Sequence, residues 1–267
     1  MKLNKALFGM NVKTNRNIWL IFFAILVMYV AIIVSIYDPS IGDPFAALMD
    51  MFPPELLGAM NFTIMNGELI SFISGYLYGF IMFIPMIYVI IVGNRLIAKY
   101  VDSGSMAYLL STPNKRRKIA LTQAVFLFLS TTLLIVVVAG VNLLMCISMY
   151  PGLLDISKFI ILNLGLIGYF TLISSITFLF SCIFNETRNS LAFGAGIPLL
   201  FFVINMLRGA SPDLDFLKYF TALSLFDSND WITGGNIVWI GSVAFFLTSI
   251  LFYTLGIRIF IKKDLPL

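Results

Sequence analysis

The stretch YVDSGSMAYLLSTPNKRRKIALTQ, Tyr100 to Gln123, is the sizeable polar interruption between two long apolar runs, and it carries four consecutive cations, Lys115 to Lys118. If the flanking runs cross a membrane, this segment marks the side on which positive charge is retained. The run before it covers about 69–92 and the run after it about 119–149. At 1.5 Å per helical residue, each is long enough for a hydrocarbon core of about 30 Å. Four further runs qualify, at about 18–37, 159–184, 190–207 and 236–261. All are expected to be helical, because backbone polar groups in lipid are satisfied only within a helix or in a closed barrel. No ten-residue apolar/polar alternation is present, which disfavours a barrel. The expected fold class is all-α integral membrane: six transmembrane helices in a single domain over 1–267.

Composition agrees. The chain has 267 residues, 60% hydrophobic and 11% charged, with a mean hydropathy of +0.99 and 26 Phe. A soluble domain carries roughly a quarter charged residues. Cys146 and Cys182 both fall in apolar runs, so no structural disulfide is expected between them. There is no histidine, which excludes a His-based triad, a His-ligated metal and an imidazole proton relay. The first run is longer than the apolar core of a signal peptide. DPSIGDPF follows it, with no small-residue cleavage site, so it reads as a retained span.

The loops are electrically asymmetric. One side holds the N-terminus, loop 93–118, loop 185–189 and the C-terminus, with all but three of the 17 cations. Only Lys158, Arg208 and Lys218 fall on the other side, against all but three of the 13 acids, Asp38, Asp43, Asp50, Glu55 and Glu68 among them. The positive-inside rule makes both termini and loop 93–118 cytoplasmic, consistent with six spans. Residues 2–16 place Leu3, Ala6, Leu7 and Met10 on one helical face; they read as an interfacial helix on the inner leaflet or as a basic tail. The stretch 212–235 reads as a segment dipping into the outer leaflet or as a packed loop. Pro85 predicts a kink in the second span. Gly194, Gly196 and Pro198 suggest that the fifth is broken or re-entrant. The third, at about thirty residues, should tilt or protrude.

Much chemistry is missing. No charge lies in the central part of any span, which disfavours proton coupling. The inner acids, Asp102, Glu186 and Asp264, are scattered, so no clustered metal ligands serve a phosphotransferase. No Gly-rich turn followed by Lys and Ser/Thr opens a helix, so the chain has no such phosphate cradle. Active work would need energy from a second polypeptide or from a gradient. The segment SMAYLLST suits a lever for such a motor. Ser105 or Ser103 is placed to cap a short helix, and Pro113 to end it. Tyr108, Leu109 and Leu110 are apolar for a solvated loop and call for a cover of lipid, protein or partner. The ordinary alternative is a loop helix packed on its own bundle.

The segment GNRLIAKYVDSGSMAYLLSTPNKRRKIALTQ, Gly93 to Gln123, resembles the region between the second and third spans of ABC-2 type permeases, membrane subunits of bacterial ABC transporters, where a G-S/T-M/L-x-x-L-L-S-T-P-x-x-R pattern recurs. The ending FIKKDLPL, Phe260 to Leu267, is similar to that of many bacterial members. The match covers the whole chain as a layout, but only Gly104–Arg117 and the C-terminal end as sequence. Many members carry an acid near the end of the second span. Here Gly93, Asn94 and Arg95 stand there, so no role of that acid transfers.

The resemblance implies an exporter subunit in the bacterial cytoplasmic membrane. It would assemble with a second permease, identical or a close relative, and with two copies of an ABC ATPase that bind ATP and Mg; the chain itself would bind no cofactor or metal, perform no catalysis and meet no nucleic acid. A coupling helix formed by Ser105, Met106, Ala107, Tyr108, Leu109, Leu110, Ser111, Thr112 and Pro113 would dock on the ATPase, with a second contact at Glu186 and Arg188. A path between the permeases, lined from the second and fifth spans, suggests Tyr76, Phe80, Phe83, Met86, Asn205 and Met206. Such Phe- and Met-rich walls suit amphipathic or hydrophobic cargo: peptide, antibiotic, drug or lipid. The competing readings are a non-transporting scaffold or sensor that binds a soluble partner through loop 93–118, and a passive channel or carrier.

Overall fold

A long helix with no distinct polar face, Ile156–Ile183, forms the centre of the molecule. The computed structural model describes residues 3–40, 51–59, 68–111 and 114–264; Lys2, Asp43, Asp50, Thr112, Pro113 and the last three residues of the ending lie outside them. Among the described residues all regular structure is helical. In chain order the elements are α1 (Lys5–Ile36), α2 (Pro54–Ala59), α3 (Leu69–Phe72), a π-helical turn (Ile73–Leu77), α4 (Tyr78–Ile81), α5 (Phe83–Leu96), α6 (Ala98–Asp102), α7 (Met106–Leu110), α8 (Arg116–Met149), α9 (Ile156–Ile183) and α10 (Thr187–Ala210). Two 3-10 segments (Pro212–Phe220, Ala222–Leu225), α11 (Ser228–Thr233) and α12 (Asn236–Lys262) complete it. Six helical segments are long and apolar enough to cross a membrane: α1, Phe83–Asp102, α8, α9, α10 and α12.

Helix α9 has no distinct polar face and is mostly buried, with Ile160 and Leu164 exposed near its start. It packs against α5, α8, α10, α11 and α12. Small residues allow the approach. A Cβ on Gly165 would meet the Trp231 and Phe226 rings at 2.5 Å, and one on Gly93 would meet Thr177 Cγ2 at 2.6 Å. Helix α1 is the opposite case. Leu26, Val30 and Val34 recur every fourth residue and are buried, while Leu20, Ile21, Ile25, Met28 and Ile32 are exposed. This is the division expected between a protein-facing and a lipid-facing side.

Several expectations are refined. Residues 5–16 are helical but continue into the first span with no break; α1 has 32 residues, about 48 Å, well beyond the hydrocarbon thickness. Within that segment Leu7 is buried whereas Leu3, Ala6 and Met10 face outward. The kink expected at Pro85 is a break at Met82: proline offers no N–H to the carbonyl four residues back, that of Ile81. A second irregularity, the π-turn Ile73–Leu77, precedes it. Helix α8, at 34 residues, is long enough to protrude, as expected.

The fifth span is neither broken nor re-entrant. Helix α10 runs through Pro198 for 24 residues, about 36 Å. The carbonyl that Pro198 leaves without its usual partner is that of Gly194; the Thr177 hydroxyl on α9 lies 3.2 Å from it and 3.0 Å from Ile173 O, so its one hydrogen is shared between the two carbonyls. A neighbouring side chain thus partly replaces the missing donor, as polar side chains on adjacent helices do for proline in membrane helices. The stretch 212–235 divides. Leu223, Phe226, Trp231 and Ile232 are buried in the core, while Phe216, Tyr219 and Phe220 are exposed in the preceding 3-10 segment.

Hydrogen bonds define two ends. At one, Arg116 Nη1 donates to Lys263 O (2.7 Å), and Lys263 Nζ donates to Cys182 O and Ile183 O (3.2 and 2.7 Å). The Asn4 N–H donates to Thr122 Oγ1 (3.1 Å). The start of α1, the start of α8 and the ends of α9 and α12 therefore meet, bringing the basic segments together. At the other end the Tyr150 hydroxyl lies 3.0 and 2.6 Å from the carbonyls of Val34 and Tyr37, and Lys158 pairs with Glu68 and Asp155.

Candidate coupling surface and transport path

The polar interruption Tyr100–Gln123 is built from two short helices at the basic end. Helix α6 continues from α5 after Ile97 and is tied to α9 by the Ala98 N–H donating to Ser181 Oγ (2.9 Å). Gly104 (φ +71°) then turns the chain in the left-handed region that glycine adopts freely. Helix α7 follows. Met106 is fully buried and anchors it, Leu109 and Leu110 are half-buried against the core, and Tyr108 is 80% exposed. The protein's own bundle thus covers most of the apolar surface of SMAYLL, leaving the Tyr108 ring.

The expected side-chain cap does not form. Ser105 bonds no free amide of α7; its Oγ lies 2.8 Å from Ser103 Oγ. The Ala107 N–H donates to Gly104 O instead (3.1 Å), and Ser111 Oγ closes the other end on Tyr108 O (2.9 Å). Backbone turn geometry, set by Gly104, starts this helix where a serine side chain was expected to.

The second candidate contact lies at the same end. Glu186 stands at the N-terminal cap of α10 and Arg188 in its first turn, both exposed, with Asn189 Nδ2 donating to Glu186 Oε2 (2.8 Å). Helix α10 packs against α6, so the two candidate contacts share one face of the bundle. The ending identified in the sequence has a structural task here. Lys263 places its ammonium on the last carbonyls of α9, where a cation complements the helix dipole, and burial holds its pKa below the usual lysine value.

The candidate path residues fall into two groups. Tyr76 and Met86 are buried in the core; the Tyr76 carbonyl accepts from the Tyr29 hydroxyl (2.9 Å), and its ring packs on Phe72. Phe83, Asn205 and Met206 are half-buried, and Phe83 stacks at a tilt on Phe202 of α10. The side chain of Phe80 lies outside the described residues. Asn205 and Met206 share a cavity of about 30 Å³ with Tyr78, Met82, Phe202, Phe226 and Asp227. That is about the volume of one water, so this cavity is closed to cargo in the single subunit.

Sequence reasoning missed the buried polar groups. Tyr78 donates to Asn163 Oδ1 (2.9 Å) inside the bundle, one turn from the π-turn. At the basic end Asn11 Nδ2 donates to Gln123 Oε1 and Asn15 Nδ2 to Asn11 O. Asn94, near the end of α5, is buried with Oδ1 unpartnered. Leu7, Asn11 and Asn15 recur every fourth residue; that spacing was the available signal, and the apolar face of the same segment obscured it.

Six helices long and apolar enough to cross a membrane, among the described residues, with a short anchored helix at the basic end, make this a multi-pass membrane protein. The family model described as "ABC-2 family transporter protein" matches residues 10–265. The chain belongs to that family and is a permease subunit of an ABC transporter. No curated protein sequence matches the chain.

Proposed function

We propose that this permease works as the membrane half of an ATP-driven exporter in a bacterial cytoplasmic membrane, with both termini and α7 on the cytoplasmic side. Two copies of a separate ATPase bind ATP and Mg and supply the energy. The segment from Ser105 to Pro113, built around α7, is the principal lever, with Glu186 and Arg188 as the second contact. The observation that carries this reading is the split personality of α7: Met106 locks it into the bundle while Tyr108 stands free at the basic end. An exposed tyrosine on an anchored helix is the residue type enriched among interaction anchors.

The path forms between this subunit and a second permease, identical or a close relative. Phe83, Asn205 and Met206 are its best-placed candidates, because they lie where the irregular second span meets α10. Mixed aromatic, thioether and amide groups there favour an amphipathic or hydrophobic molecule, moved outward.

The test is co-purification with the partner ATPase, followed by ATP hydrolysis in proteoliposomes. Tyr108→Asp should abolish association while the permease still inserts and melts as before. Association without substrate-stimulated hydrolysis would favour a scaffold or sensor. Uphill transport by the permease alone would overturn the proposal.

A further inference from the structure

The basic end contains a polar cavity next to an apolar groove, and the two share one residue. The cavity, about 280 Å³, lies between α1 and the α5–α7 segment. Asn11, Asn15, Arg95, Lys99, Ser103 and Ser105 supply its polar lining. No acid lines it, and among the described residues neither Arg95 nor Lys99 forms an ion pair. The groove, about 380 Å³, runs between α1 and α8 past Phe8, Trp19, Leu20, Phe126 and Leu133. From Phe8 to Leu20 it extends about 18 Å along α1, roughly the depth of one leaflet of a 30 Å hydrocarbon core.

Asn15 lines both spaces. It is 4% exposed, and its Oδ1 has no partner. Because Nδ2 is engaged by Asn11 O (2.9 Å), the orientation of the amide is set, and Oδ1 is left as an acceptor that wants a donor. A buried carbonyl oxygen without a donor is costly, so the site is completed by something that brings one.

We propose that the chain holds one anionic phospholipid at its basic end. The phosphate sits between Arg95 and Lys99, a hydroxyl of the headgroup donates to Asn15 Oδ1, and one acyl chain fills the groove between α1 and α8. Charge complementarity selects the anionic headgroup, the hydroxyl donor selects a glycerol-type head, and the groove selects a lipid over free phosphate. The inference does not depend on the transport function.

The experiment uses the purified full-length chain in detergent. Bound lipid is read by native mass spectrometry and by the shift in melting temperature. Titrants are phosphatidylglycerol, phosphatidylcholine and glycerol 3-phosphate. Phosphatidylglycerol should bind and raise the melting temperature; the other two should bind at least ten-fold more weakly. Arg95→Gln with Lys99→Gln should weaken phosphatidylglycerol about thirty-fold, given the contribution of each cation near a lipid surface. Arg258→Gln with Lys262→Gln, an equal loss of charge elsewhere, should bind as the unmodified chain does. Should the double variant misfold, Asn15→Asp places a negative charge against the phosphate and should weaken binding by at least ten-fold. Leu133→Trp, which fills the groove, should do the same. Equal binding of phosphatidylcholine, equal binding of glycerol 3-phosphate, or unchanged binding by the cavity variants would each overturn the proposal.

Discussion

At the residue scale, single hydroxyls and ammonium groups finish what the helical backbone leaves open. Thr177 is the clearest case, donating to the Gly194 carbonyl that Pro198 cannot serve. Thr177→Val keeps the shape and removes the donor, and should destabilise the protein by about 1 kcal/mol in thermal or denaturant melts. Combining it with Pro198→Ala, which restores the N–H, should recover most of that loss. Lys263 acts similarly at the end of α9. Lys263→Met should cost about 1–2 kcal/mol and raise protease sensitivity at the C-terminus. On the opposite end, Asp215 is held by Lys218 (2.6 Å) and Arg208 (3.2 Å), mainly through the hydrogen bond from Lys218, which lowers its pKa below the usual carboxylate value. A depressed carboxylate pKa means that the contact is fully present at neutral pH and lost only as pH falls through that lowered value. Acidification from neutrality to about pH 5 should therefore leave it intact, and Asp215→Asn should change the local exchange rates of the 212–220 amides without moving the overall melting temperature.

At the scale of elements, the short helix α7 and the irregular second span carry the functional argument. Tyr108→Ala should weaken ATPase association by about thirty-fold or more, as loss of a central aromatic anchor does, with the melting temperature unchanged because the ring is 80% exposed. Met106→Asp should instead lower the melting temperature, since a carboxylate would replace a fully buried thioether. The contrast between the two separates docking from anchoring. The break at Met82 could be anticipated from Pro85, because the proline removes a named hydrogen bond. The π-turn at Ile73–Leu77 could not: ISGYL has no residue that demands it, and its Tyr76 carbonyl is met by Tyr29, 47 positions earlier. Such turns are frequent at functional sites, and this one lies in the span assigned to the path.

At the scale of the whole molecule, charge sets orientation and surrounding contacts set the interior. Reversing Lys115–Lys118 to Glu removes about 1 kcal/mol of inner-leaflet attraction per residue and should send a measurable fraction of chains in with inverted loops, read by cysteine accessibility at the two ends. The number of spans and the gathering of basic segments at one end were readable in the amino-acid order, because apolar length and loop charge act locally, between each segment and the bilayer. The second long apolar helical segment, Phe83–Asp102, differs from the expected 69–92 because the π-turn and the break at Met82 divide that run. The continuity of α10 through Pro198, the covering of Leu109 and Leu110, and the polar cavity beside Asn15 depended on groups tens of residues away: Thr177, the bundle surface behind α7, and the α5–α7 segment. A helix in lipid is dictated by its own side chains, whereas a backbone carbonyl or a buried amide is satisfied by whichever neighbour the packing brings, and only the folded bundle names that neighbour.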